Sequence, residues 1–261
     1  MAQVLVTGAT SGIGQAIALA FHAAGHQVTA IGRDTDALAR LGAQGLKALP
    51  MDLGDTAGLS DRLAAALAAT VPDVLVNNAG MVAPPGNFCD MDEGDIHRQI
   101  ATNLTQAILV SHAVAPGMRA RGAGHIFFTG SIAGHTPYPN MAVYAATKAA
   151  LGGFAQSLRL DLSSHGVRVT EIVAGRVESP LYKDVLTLDE RAAMYAGQTA
   201  VQPEDVAAMV MAVHAMPAHV NVSRFDILPT RQRGARNEGP VGCDRRRGLW
   251  SWRTSRPHGG G

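Results

Sequence analysis

The chain has 261 residues, a formal net charge of +1 and 47% hydrophobic residues. That is enough apolar matter for one large α/β domain, and it excludes a wholly disordered chain. Its two cysteines, Cys89 and Cys243, exclude a disulfide framework and a cysteine-rich zinc module.

Apolar strand-like runs alternate with helix-period segments along the chain. Short buried strands are expected at residues 3–7, 27–31, 46–51, 74–77, 125–129, 168–173 and 225–228, and helices at 13–24, 56–69, 92–120, 141–164 and 203–216. The last helix opens on Pro203-Glu204-Asp205, a proline in the first turn followed by acids at the positive end of the dipole. This alternation implies a doubly wound parallel sheet covered on both faces. Residues 178–202 break the rhythm and are expected to cross the sheet's edge as a lid. The uncharged stretch 99–118 carries Asn103, Gln106, His112 and Pro116, too polar for a membrane span. An apolar run already begins at residue 3, so the expectation is a cytoplasmic protein without a leader. Residues 231–261 hold eight Arg against Glu238 and Asp244, whereas residues 1–230 hold 14 basic and 19 acidic groups. The shift divides the chain into a domain over 1–234 and an Arg/Gly-rich tail over 235–261, expected to be disordered.

The first strand runs into Thr7-Gly8-Ala9-Thr10-Ser11-Gly12-Ile13-Gly14 and then a helix. Gly8, Gly12 and Gly14 permit a tight turn, and the helix N-terminus offers N–H groups to a pyrophosphate. Thr10, Ser11 and Ile13 belong to the same turn. After the second strand stands Gly32-Arg33-Asp34. A guanidinium there can clamp a 2′-phosphate, so Arg33 points to NADP(H), with Asp34 turned away as a helix cap. Asp52 and Leu53 follow the third strand, and Asn77-Asn78-Ala79-Gly80 the fourth. Both lie where ligands bind in such sheets.

Tyr144 and Lys148 are four residues apart, on one helical face. The ammonium is expected to lower the phenol's pKa and make it a proton donor and acceptor near neutral pH. Ser131, at the end of the fifth strand, can hydrogen-bond a substrate oxygen. Asn103 lies inside an apolar helical stretch.

Taken in order and spacing, Thr7–Gly14, Asn77–Gly80, Asn103, Ser131, Tyr144 and Lys148 resemble the short-chain dehydrogenase/reductase superfamily, over about residues 3–230. The resemblance implies a single Rossmann-type domain with a seven-stranded parallel sheet, and hydride transfer between NAD(P)H and a carbonyl or alcohol. By position, Tyr144 is the general acid/base and Ser131 polarises the carbonyl. Lys148 binds the nicotinamide ribose, and Asn103 binds a water of the proton relay. No metal is called for. After the sixth strand the family has Pro-Gly, where this chain reads Ala174-Gly175. A looser loop is expected there, with Gly175, Val177 and Ser179 still near the nicotinamide. The run from Gln202 to Gln232 is similar to the branch of NADP-dependent 3-hydroxy acid (serine-type) dehydrogenases and broad carbonyl reductases. The substrate is then a small molecule, its pocket drawn from Met81, Val82, His135, Tyr138, Arg176, Tyr182 and Lys183. Arg176 or Lys183 is the candidate for holding a carboxylate. The family's assembly implies a homotetramer or homodimer packed through residues 92–120 and 141–164. Two rival readings are a catalytically silent NADP-binding sensor and nucleic-acid binding by the Arg-rich tail, with Trp250 and Trp252.

Overall fold

The structure is a computed structural model and describes residues 1–67, 70–136, 138–197 and 199–231. The tail over 235–261 lies outside the described residues.

Seven strands form one parallel sheet in the order β3-β2-β1-β4-β5-β6-β7. They are β1 (Gln3–Thr7), β2 (Gln27–Gly32), β3 (Lys47–Pro50), β4 (Val74–Asn77), β5 (Gly124–Thr129), β6 (Val167–Ala174) and β7 (Arg224–Ile227). The period of two explains the double burial. Val4 and Val6 of β1 and Val74 and Val76 of β4 face one core, while Leu5 and Leu75 face the other. The first core is closed by α1 (Gly12–Ala23), α2 (Thr35–Ala43) and α8 (Pro203–His214), through Ile17, Phe21, Leu38, Leu41, Val206 and Val210. The second is closed by α3 (Leu59–Leu67), α5 (Gln106–Arg121) and α6 (Ala142–Ser163), through Leu63, Val110, Met118 and Leu151. The strand order reverses between β1 and β4, and the crevice at their carboxyl ends is the ligand position such a sheet dictates.

Two expectations need correction. The helix expected over 92–120 is present but is not uniformly α. It is α4 (Glu93–Ile100), a π turn over Ala101–Thr105, and α5. The π turn coincides with Asn103, whose side chain reaches out of the helix to the loop after β4. Helix α2 was implied only by reading Asp34 as a cap, and its span was not expected. Asp34 caps it, accepting from Ala37 N–H at 2.9 Å, and it buries Ala37, Leu38 and Leu41. The excursion 178–202 carries one further helix, α7 (Leu188–Tyr195), opened by a Thr187/Glu190 capping box.

At the amino end of the sheet, His125 of β5 is buried and stacks on Phe127. Thr170 donates to the Val222 carbonyl at 2.6 Å, so it accepts from His125 Nε2–H at 2.9 Å. His125 Nδ1 is left without a partner. Burial, with Arg168 and His214 adding repulsion, pulls the imidazole down to about 2. The unfolded chain takes up this proton below about pH 6.5, and the folded one does not. Stability is therefore complete above 6.5 and falls as pH drops toward 2, reaching a loss of about 2 kcal/mol at pH 5. Urea unfolding at pH 7 and pH 5 measures the loss, to which His214, lowered to about 4 by burial, adds its own part, so His125→Phe is expected to remove about half of the total. An undiminished loss in that variant would assign the acid sensitivity to other groups.

Candidate active site

The phosphate turn is built by close approach. A Cβ on Gly14 would stand 2.3 Å from the Gly8 carbonyl oxygen and 2.4 Å from Asn78 Nδ2. Gly8 has a φ of +64°, and its Cβ would meet Ala79 Cα at 2.8 Å. Only glycine fits either position. Asn78 ties the turn together: Nδ2 donates to the Thr7 and Gly8 carbonyls, and Oδ1 accepts from the Thr129 hydroxyl. The Thr7 hydroxyl accepts from the Asn78 and Ala79 N–H groups. Thr10 packs against Gly32 of β2, and Ile13 packs into the first core. Ser11 precedes α1 and makes no side-chain cap bond, so the first-turn N–H groups are not taken by a cap. A glycine-walled turn opening on uncapped helix N–H groups fits a pyrophosphate.

Arg33 lies just past β2, its side chain 76% exposed and Nη1 3.9 Å from the Asp52 carboxylate. Asp34 is engaged as the cap of α2, and Arg33 is the cationic group at this strand end. Asp52 also accepts from Gly54 N–H at 2.8 Å, whereas Leu53 packs in the second core. A Cβ on Gly80 would come 3.6 Å from Lys148 Nζ, so the loop after β4 is bare beside the lysine.

Ser131, Tyr144 and Lys148 converge at the carboxyl end of β5, all three buried. Tyr144 and Lys148 sit in the first two turns of α6, with Nζ 5.8 Å from the Tyr144 ring centroid. Lys148 Nζ donates to the Thr129 carbonyl at 2.8 Å. Burial pulls the ammonium down to about 8, with Glu171 acting against the fall. The expected lowering of the Tyr144 phenol is overturned. Burial raises it, and the Ser131 hydroxyl draws it back only part of the way. A dry interior penalises the phenolate, an effect spacing alone does not reveal.

Asn103 is buried in the π turn, and its side chain is fully engaged. Oδ1 accepts from Met81 N–H at 2.7 Å; Nδ2 donates to the Met81 carbonyl at 2.9 Å and to Thr147 Oγ1 at 3.3 Å. It clamps the loop after β4 onto α6, so the side chain expected to bind a water is instead bonded to Met81 and Thr147. Gln106, noted in the sequence only as a polar member of the 99–118 stretch, donates to the Ala79 carbonyl and fixes the same loop. Its signal was an amide among apolar helix positions, the same signal as Asn103.

The segment after β6 folds over the site. Ala174 is in register with Ile227, and Gly175 N–H bonds the Ile227 carbonyl at 2.9 Å. The strand end is pinned by this bond despite the missing proline. Val177 is buried in the first core and bridges to Val201. Ser179 lies over the phosphate turn, 3.1 Å from where a Gly12 Cβ would stand. Tyr138, Met141, Tyr182 and Val185 pack around Val82, Ala133 and Tyr144. Tyr195 of α7 donates to the Ser179 carbonyl, and Arg176 Nη1 donates to the Met194 carbonyl of α7. All four tyrosines of the chain thus gather at this end. Arg176 is half-buried under α7, whereas Lys183 is exposed. Beside Tyr144 a cavity of 310 Å³ is lined by Val82, Phe88, Gln99 and Met141, with Asp90, Asp92 and Asp95.

Residues 2–189 match the short chain dehydrogenase family model. An uncharacterized short-chain type dehydrogenase/reductase of Sinorhizobium fredii is 40% identical over 87% of this chain and 91% of its own. Sulfoacetaldehyde reductase 2 of Chromohalobacter salexigens is 38% identical over 88% and 94%. The NADP-dependent 3-hydroxy acid dehydrogenase YdfG of Salmonella typhi is 39% identical over 88% and 95%. Among solved structures, the closed form of serine dehydrogenase complexed with NADP+ superposes with a TM-score of 0.82 at 34% identity, covering 93% of this chain and 98% of that one. Matched over most of its length in sequence and in fold, the chain belongs to the short-chain dehydrogenase/reductase family of oxidoreductases.

Proposed function

We propose that the protein is an NADP(H)-dependent oxidoreductase acting between a small carbonyl compound and the corresponding alcohol, on substrates that carry an acid group. The observation that carries this reading is the convergence of Ser131, Tyr144 and Lys148 beside the phosphate turn. NADP(H), when bound, supplies or accepts the hydride. The phosphate turn would hold its pyrophosphate and Arg33 its 2′-phosphate. Ser131 donates to the substrate oxygen, and Tyr144 gives that oxygen a proton in reduction or takes one in oxidation. Lys148 keeps a positive charge beside the phenol, and the Asn103 clamp holds the adjoining loop for a water that returns the proton.

The acid group is assigned to Arg176. Its guanidinium lies under the lid helix beside Tyr182 and Tyr195, while the cavity next to Tyr144 carries Asp90, Asp92 and Asp95 among its lining residues. A carboxylate or sulfonate is repelled from the second and paired in the first. The relatives named for 3-hydroxy acid and sulfoacetaldehyde act on molecules of this kind. Oligomerisation through the outer faces of α5 and α6 belongs to the same reading, and Leu160 of α6 is 63% exposed there.

Arg176→Ala is expected to lower kcat/KM for acid-bearing substrates about tenfold or more, the size of a charge-assisted hydrogen bond. Neutral ketones should stay within about threefold. Steady-state rates on matched acid and neutral pairs check this, and an equal loss for both would withdraw the role from Arg176.

A further inference from the structure

A buried carboxylate that the proposed chemistry does not use stands directly behind the site. Glu171 is a mid-strand residue of β6, in register with Phe128 of β5 and Arg224 of β7, and is 1% exposed. An ionisable group in the middle of a sheet costs stability unless it is paired. Its partner is His135, whose Nε2 lies 2.9 Å from Glu171 Oε1. His135 ends the short 3-10 turn that begins after Ser131, so the pair ties the Ser131 loop to the sheet.

Room for the carboxylate is made by two glycines. A Cβ on Gly130 would stand 2.6 Å from Glu171 Oε1, and one on Gly152 would stand 2.9 Å from it. Gly130 adjoins both Ser131 and Thr129, the residue whose carbonyl receives Lys148 Nζ. Gly152 is one turn beyond Lys148 on the same face of α6. Glu171 therefore touches the backbone of both elements that carry the catalytic groups. Its second oxygen, Oε2, is buried without a hydrogen-bond partner.

We propose that Glu171, clasped by His135, is a positioning residue: it holds the Ser131 loop on the sheet and serves as the buried counter-charge to Lys148. The proposal rests on the oxidoreductase reading for its effect on turnover, but its electrostatic part is independent of any turnover. Among the described residues, the Tyr144 ring lies 5.8 Å from the ammonium and Glu171, on β6 behind Gly130 and Gly152, is the charge that acts on it. Glu171 opposes the pull of burial on Lys148. Without that carboxylate the ammonium loses its proton at lower pH.

The test uses the whole chain, which has only three lysines, Lys47, Lys148 and Lys183. Lysine side-chain NMR of the protein, with Lys148 assigned by Lys148→Met, follows its titration. Lys148 is expected to titrate near 8 in the parent and about one pH unit lower in Glu171→Gln, which keeps the shape but removes the charge. An unmoved Lys148 in a folded Glu171→Gln overturns the counter-charge role, whether or not the protein turns over any substrate. The loop is tested separately at the partly exposed partner, which also serves if Glu171→Gln does not fold. His135→Ala is expected to lower kcat about tenfold with KM for NADPH within twofold, and His135→Gln, which restores an N–H donor, to recover most of it. Full activity in His135→Ala overturns the loop role. A parent without NADPH-dependent turnover would count against the oxidoreductase reading and leave the NMR result to decide the counter-charge.

Discussion

Tyr144→Phe is expected to lower turnover by at least about a hundredfold while leaving NADPH affinity within about threefold. The size is that of a lost general acid. The sparing of affinity follows from packing: the ring stays among Val82, Ala133 and Met141, and only the hydroxyl is removed. Rapid mixing with NADPH separates the two quantities, since cofactor binding is read before any hydride transfer. Near-parental turnover would remove Tyr144 from its role. The direction of the pKa shifts adds a pH signature. Burial holds the phenol protonated through neutral pH, so reduction should not fall as pH rises from 6 to 7.5 on account of Tyr144. The first alkaline loss in kcat/KM should instead appear near 8, where Lys148 gives up its charge. Oxidation needs the phenolate and should rise with pH over the same range.

Arg33→Ala is expected to weaken NADPH binding by about ten- to a hundredfold, which corresponds to about 1.5–3 kcal/mol for hydrogen bonds to a charged group. NADH should bind the variant as it binds the parent, within about twofold, so the preference between the two cofactors nearly disappears. The local geometry supports so selective an effect. Arg33 is exposed, its contact with Asp52 is long at 3.9 Å, and it buries nothing whose loss would disturb the fold. An exposed ion pair of that length contributes little, so freeing Asp52 has a small cost. Asp34, the acid that would otherwise favour NADH, is held by the N–H of Ala37. Titration of cofactor fluorescence in parent and variant measures both constants. A common weakening of NADPH and NADH would mean that Arg33 supports the strand end and does not read the phosphate.

The strands were legible because burial on both faces makes β1 and β4 unbroken apolar runs, whose alternate residues belong to opposite cores. The phosphate turn was legible because glycine is the only residue that survives contacts such as Gly14 against Gly8. Tyr144 and Lys148 were legible because four residues are one helical turn. What escaped depends on contacts distant in sequence. The π turn exists where Asn103 bonds Met81, 22 residues away. The direction of the Tyr144 shift depends on how dry the site is, which spacing does not record. Glu171 reads as an ordinary charge between apolar neighbours until Gly130, Gly152 and His135 are seen around it. The span of helix α2 was missed because its nine residues bury only three side chains before Gly42 and Gly45 interrupt the pattern.

The most direct measurement is the loss of NADPH absorbance with a panel of small aldehydes and ketones, each with and without a carboxylate or sulfonate, with NADH run in parallel. Turnover with NADPH is expected well above that with NADH, and highest with an acid-bearing carbonyl compound. Tight NADPH binding without turnover on any member of the panel would contradict the oxidoreductase reading and favour a protein that binds the cofactor without performing the chemistry.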